Sequence, residues 1–302
     1  MKQHLSNNEY DELIAAVTFS EPETYETQKQ KKAIIVAGGG DYPGNILWKA
    51  TQKCTNFAYL ALLTQGYTRE NIYFLSSDTN FDIDGNGSFD DIDADATIEN
   101  LSYAITTWAK DSSELILYMT DHGGKGTFML SGISNPPEIL KAEVLDGWLD
   151  SLQNIMTGKV IFIYDACYSG SFLSLLTPSL GKEEDRILIT GSLTDERAWF
   201  EQNGILSFSY QFWAAVFLNA KLYDSFTAGQ LMMKNSQSPR LMLTETESET
   251  KKTIKAWQDR SSSAGDGWQV RHPCHRNRIR RTDPRNRSDL GNASGRRYHS
   301  PE

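Results

Sequence analysis

Two tripeptides carry residue types able to open an acyl bond: Asp121-His122-Gly123 and Asp165-Ala166-Cys167. A thiolate attacking a carbonyl needs a base or cation near the sulfur, donors for the oxyanion and an open approach. His122 can supply the first. Gly123 and Gly124 let backbone come close to a substrate, and the amides of Gly123 and Cys167 can serve as oxyanion donors. Ser169-Gly170-Ser171 suits a tight turn into a helix whose N-terminus would favour the thiolate. Cys54 lies in a helical apolar pattern and reads as core, like most free cysteines. With Cys274 it makes three scattered cysteines, neither a disulfide framework nor a zinc spacing.

A second chemistry is written between Asp82 and Asp93, in the string DIDGNGSFDDID. Asp82, Asp84, Asn86, Asp90 and Asp93 fall at positions one, three, five, nine and twelve of a calcium loop, with Gly87 at the turn position. A structural Ca2+ ordering this loop is the expectation, with no cofactor for catalysis. The run from Gly38 to Gly44 does not read as a nucleotide site: no Gly-Lys-Ser/Thr follows, and Pro43 stands where a Gly-x-Gly-x-x-Gly match needs its last glycine.

The elements that must position these residues alternate regularly. Short apolar runs at 33–37, 71–75, 115–119, 160–164 and 187–190 read as buried strands. Helical spacing covers 48–65, 97–109, 137–156, 207–219 and 225–234. Continuous apolar strands between helices predict an α/β fold with a mostly parallel sheet covered on both faces. Functional groups in such sheets gather at the carboxyl ends of strands. Both tripeptides follow a strand directly.

The segment YMTDHGG (118–124) resembles the histidine motif of the legumain family, the C13 peptidases of the caspase-like clan. IFIYDACYSGS (161–171) resembles its cysteine motif, and Ile34–Gly38 its first strand; the likeness spans about 32–235. The resemblance implies a caspase-like three-layer sandwich and a cysteine endopeptidase. His122 and Cys167 would be catalytic, Gly123 part of the oxyanion hole, and Asp165 an acid lining the pocket for the residue before the cut. By position alone, Asp195 and Glu196 join Asp165 as substrate-binding candidates. The family also carries an Asn after its first strand; Asn45 lies nearby, while a gapless match puts Trp48 there. The alternatives in view are a transamidase or self-processing enzyme of metacaspase type, and a calcium-dependent binding module on an inactive peptidase fold.

The bulk properties bound partners. Net charge is −9 over 302 residues, and from Arg271 to Glu302 nine Arg face three acids, a local +6 that leaves −15 on the rest. So acidic a body argues against nucleic acid, while a peptide or protein substrate is the partner that the resemblance implies. No apolar run reaches the roughly 18 residues of a membrane helix. Met1 to Tyr10 lacks a signal-peptide pattern, while the calcium-type loop suggests an extracellular or periplasmic setting for a longer exported chain. The reading is a polar leader (1–31), one peptidase domain (32–240) with loop 82–93 inserted, and a tail (241–302) without periodicity, expected to be disordered. A one-base shift from Met242 would spell a further Asn-Gly-Asp-Gly string, which suggests a frameshift near Leu241.

Overall fold

The computed structural model describes residues 31–156, 158–178 and 186–243. All lie in Met1–Ile254, one of two units into which the chain divides; the other, Lys255–Glu302, falls outside the described residues, as does nearly all of the leader.

The predicted strands form. β1 (Lys31–Ala37), β2 (Ile72–Leu75), β3 (Glu114–Thr120), β7 (Lys159–Asp165) and β8 (Arg186–Thr190) lie in one six-stranded sheet, completed by β9 (Arg240–Leu243) in the order β2-β1-β3-β7-β8-β9. The first five run parallel, and β9 pairs antiparallel to β8. Between β3 and β7 the chain makes a small antiparallel sheet of β4 (Gly123–Gly124), β5 (Thr127–Ser131) and β6 (Glu138–Lys141).

Helices cover both faces: α1 (Trp48–Thr64), α2 (Ile98–Thr106), α3 (Ala142–Gln153), α4 (Phe208–Phe217) and α5 (Leu222–Met233). Because successive side chains on a strand point to opposite faces, each central strand feeds two cores. Ile34, Val36, Leu117, Met119, Phe162 and Tyr164 meet α2, α3 and the β5–β6 hairpin. Ala33, Ile35, Tyr118, Ile161 and Ile163 meet α1, α4 and α5. The result is a three-layer α/β sandwich. Capping fixes where two helices begin: Thr97 Oγ1 accepts the Asn100 amide at 3.2 Å and Ser207 Oγ accepts that of Tyr210 at 3.1 Å, each cap worth about 1 kcal/mol.

Several boundaries differ from the sequence reading, three of them for a reason visible in the pairing and packing. The helix expected from 137 begins at Ala142, because Glu138–Lys141 pairs with β5 instead. The helix expected to 109 ends at Thr106 and gives way to a 3-10 turn, Trp108–Asp111. β9 carries the sheet past 240: Leu241, Met242 and Leu243 pair with β8, and Leu241 and Met242 pack against opposite cores. Residues 244–302, including the string read for a frameshift, lie outside the described residues.

Candidate active site

β3 and β7 are adjacent and parallel, in a register that ends with Thr120 opposite Asp165. His122 and Cys167 each lie two residues further on, at the carboxyl edge of the sheet and both partly exposed. The two loops that carry them touch. A Cβ on Gly123 would lie 2.5 Å from the Cys167 carbonyl oxygen and 2.7 Å from the Tyr164 hydroxyl, so this close approach requires glycine. Met129 N–H donates to the His122 carbonyl at 3.0 Å. Gly123 therefore sits at a non-hydrogen-bonded position of the β4–β5 ladder, and its own N–H faces away from β5.

His122 is held from behind by a buried carboxylate. Asp121, 1% exposed, accepts the His122 backbone amide at Oδ1 (2.6 Å). Its Oδ2 accepts from Thr51 Oγ1 at 2.6 Å and Asn45 Nδ2 at 3.1 Å. Asn45 Nδ2 also donates to the Gly40 carbonyl at 3.0 Å, tying the loop after β1 to the same carboxylate. Asp121 adopts φ 155°, a strained value for a residue with a Cβ. Burial pushes its pKa above the ordinary value, opposed by the Thr51 and Asn45 donors. Of the two positions open for a third polar member, Asn45 reaches this cluster; Trp48 is a buried member of the apolar core beneath α1.

The Cys167 loop is a sharp turn. Tyr168 takes φ 61°, a left-handed conformation, and its amide donates to the Glu196 carbonyl at 2.7 Å. In place of the expected helix the chain then makes a four-residue 3-10 turn, Ser169–Phe172. Its dipole is too short for helix-type stabilisation of a thiolate. The Cys167 sulfur lies 3.9 Å from the Ala198 carbonyl, so the loop after β8 forms one wall of its surroundings.

The three acids read as a specificity pocket are each engaged elsewhere. Asp165 is fully buried at the N-terminus of α4, where its Oδ2 accepts the Ser209 amide at 2.9 Å, one of the helix's unpaired first-turn donors. Its Oδ1 has no hydrogen-bond partner among the described residues. Burial raises its pKa to about 6, the Ser209 amide being the strongest opposing influence. Asp195 is an exposed rim residue paired with Lys125, an arrangement of little energetic weight. Glu196 turns inward, its Oε2 accepting the amides of Leu193 (3.0 Å) and Ser238 (2.8 Å). Cys54 is fully buried, its thiol pushed up to about 12 by desolvation, in keeping with a core role.

In the acidic loop the structure changes the predicted ligand set. Carboxylate oxygens of Asp82, Asp84 and Asp91 lie within 4.8 Å of one another. Asp93 is not with them: it pairs with Arg69 at 3.0 Å and accepts the Phe74 amide at 2.7 Å, at the edge of β2. Asn86 Oδ1 accepts the Ser88 amide at 2.7 Å, and the Asp90 carbonyl is taken by Arg69. Asp91 is drawn in because Ile92 enters the core and Tyr59 donates its hydroxyl to Asp91 Oδ1 at 2.6 Å. Three carboxylates so placed suit a hard cation with oxygen ligands.

A six-stranded, mainly parallel sheet between two helical layers, with a His and a Cys beyond adjacent strands, defines a caspase-like fold. A crystal structure of caspase-1 from Spodoptera frugiperda shares it, with a TM-score of 0.50 at 11% identity, covering 75% of this chain and 92% of that one. Residues 98–227, the segment that holds both motifs, match the peptidase C13 family. No curated protein sequence matches the chain.

Proposed function

We propose that the chain is a cysteine-type endopeptidase in which Cys167 is the nucleophile and His122 the acid and base. The observation that carries this is the β3–β7 register, which delivers both residues to one sheet edge from neighbouring strands. The match of residues 98–227 to the peptidase C13 family supports it.

The Cys167 thiol would pass its proton to His122 as its sulfur adds to the scissile carbonyl, with the oxyanion held by the Gly123 and Cys167 amides. Collapse to the thioester expels the amine, which takes the proton from His122. Water, deprotonated by His122, then releases the acid and restores the thiol. Asp121 would hold the His122 backbone in place, with Asn45 and Thr51 keeping that carboxylate oriented. Asp165 and Glu196 are held by backbone amides and Asp195 stands exposed beside Lys125, which weighs against a shared acidic pocket and so against a preference for basic side chains at the cut. A calcium ion at Asp82, Asp84 and Asp91 would supply charge neutralisation and order in the 82–91 loop and no catalytic step.

The test is labelling by a peptidyl electrophile together with hydrolysis of a fluorogenic peptide panel. Labelling at Cys167, and loss of hydrolysis in a folded Cys167→Ala variant, are expected. Full inertness of the parent with calcium present would overturn the proposal in favour of a binding module on a peptidase fold. Transfer to added amines in place of hydrolysis would mark a transamidase.

A further inference from the structure

The segment after α5 lies beyond the C13 family match, yet it reaches back to the wall beside Cys167. Gln237 is 2% exposed. Its Oε1 accepts the Trp199 amide at 2.6 Å, and its Nε2 donates to the Gly191 carbonyl at 2.8 Å. One side chain thus ties together the two ends of the 191–199 loop. The next residue secures the middle: Ser238 donates its amide to Glu196 Oε2 at 2.8 Å and its hydroxyl to Oε1 at 3.2 Å. Glu196 in turn offers its carbonyl to the Tyr168 amide, one residue after the nucleophile. The start of the loop is locked by Ser192, whose hydroxyl donates to the Ala166 carbonyl at 2.9 Å and receives the Ser169 amide at 3.1 Å.

At the loop's far end, Ala198 brings its carbonyl to 3.9 Å from the Cys167 sulfur. Trp199 stands next to it, 49% exposed, with its backbone amide committed to Gln237. Without Gln237 the part-buried Trp199 amide and the buried Gly191 carbonyl would each lose a partner, and the Ala198–Trp199 segment would be free to shift.

We infer that Gln237 is a positioning residue of the site, setting the 191–199 loop and hence the Ala198 wall against Cys167. The inference builds on the reading of Cys167 as a reactive thiol, but not on peptide hydrolysis as such. Because the clamp acts on the wall and the Tyr168 turn, its loss should change reactivity per folded molecule and not only stability.

The test compares the full-length parent with Gln237→Met, which keeps volume and removes both hydrogen bonds, and with Gln237→Asn, which keeps a neutral amide but withdraws it by one methylene from both partners. Two readouts are taken on folded protein: kcat and KM for a fluorogenic peptide, and the rate of alkylation by iodoacetamide scored on the Cys167 peptide. Gln237→Met should lower kcat/KM by about 10- to 100-fold, mostly in kcat, as expected for misplacement on the ångström scale. It should also change the alkylation rate by at least about threefold, a threshold set well below that catalytic loss. Gln237→Asn should fall between Met and parent, and serves as the test if the Met variant does not fold. Parent-like kcat/KM and alkylation per folded molecule would overturn the inference. If the parent hydrolyses no peptide, the peptidase proposal fails by itself and the alkylation rates alone decide on Gln237.

Discussion

Thr120 and Asp165 stand opposite each other at the last paired position of β3 and β7, and the Thr120 hydroxyl donates to the Asp165 carbonyl at 2.8 Å. Both are fully buried. This bond closes the register immediately before the two strands release His122 and Cys167, so it fixes the relative level of the proposed dyad.

Thr120→Val keeps the shape and removes the donor. Leaving a buried carbonyl short of a partner costs about 1–3 kcal/mol. The variant is expected to fold, melt lower by an amount of that order, and lose activity beyond the fraction unfolded. Melting curves and kcat/KM read the two effects, and parent values in both would show that the register does not depend on this bond.

Asp165 gives the fold a pH dependence. Burial raises its pKa from an ordinary 3.8 to about 6, so the folded chain binds its proton more tightly than the unfolded chain. The associated stability is fully present below pH 3.8 and is lost as pH rises through about 6. Two pKa units correspond to about 3 kcal/mol. Asp121, also raised by burial, acts in the same direction. Denaturant unfolding at pH 4.5 and 7.5 should show a drop in the parent that Asp165→Asn reduces; an equal drop in both would remove Asp165 as its source.

Calcium should raise the melting temperature of the parent relative to chelator, by the mass action of a ligand that binds only the folded state: about 2.7 kcal/mol at a hundredfold excess over Kd. Asp82→Asn and Asp91→Asn should abolish the shift. Asp93→Ala should lower stability in both conditions, because it releases Arg69 and the Phe74 amide, while keeping the shift. A parent whose melt is the same with calcium and with chelator would reduce the loop to an acidic surface.

The end of the domain can be cut to test where packing stops. A chain ending at Leu243 should melt and hydrolyse as the full chain does. One ending at Pro239 should lose β9, uncovering the β8 edge and the packing of Leu241 and Met242, and melt several degrees lower. Equal melting of the two would move the domain boundary back to 240.

The sequence by itself determined the elements whose signal is local. Continuous apolar runs marked the five parallel strands, because strands buried on both faces have little choice of residue. Helical spacing marked the helices, and two strand-end tripeptides singled out His122 and Cys167 as candidates. Only the tertiary structure decided what depends on which surfaces meet. Glu138–Lys141 carries no strand signal of its own and becomes β6 through pairing with β5. Asp165 reads as a pocket acid beside Cys167, yet an odd position on β7 turns it toward the α1–α4 face, onto the N-terminus of α4. Asp93 and Asp91 differ by two places in a string of acids, and burial of Ile92 and the Tyr59 hydroxyl select the second. Asn45 is one of two positions that the sequence leaves open for a third polar member, and Thr51 and Gln237 are ordinary polar residues in the sequence. They acquire a role only where the fold leaves Asp121, Trp199 and Gly191 groups buried and in need of partners.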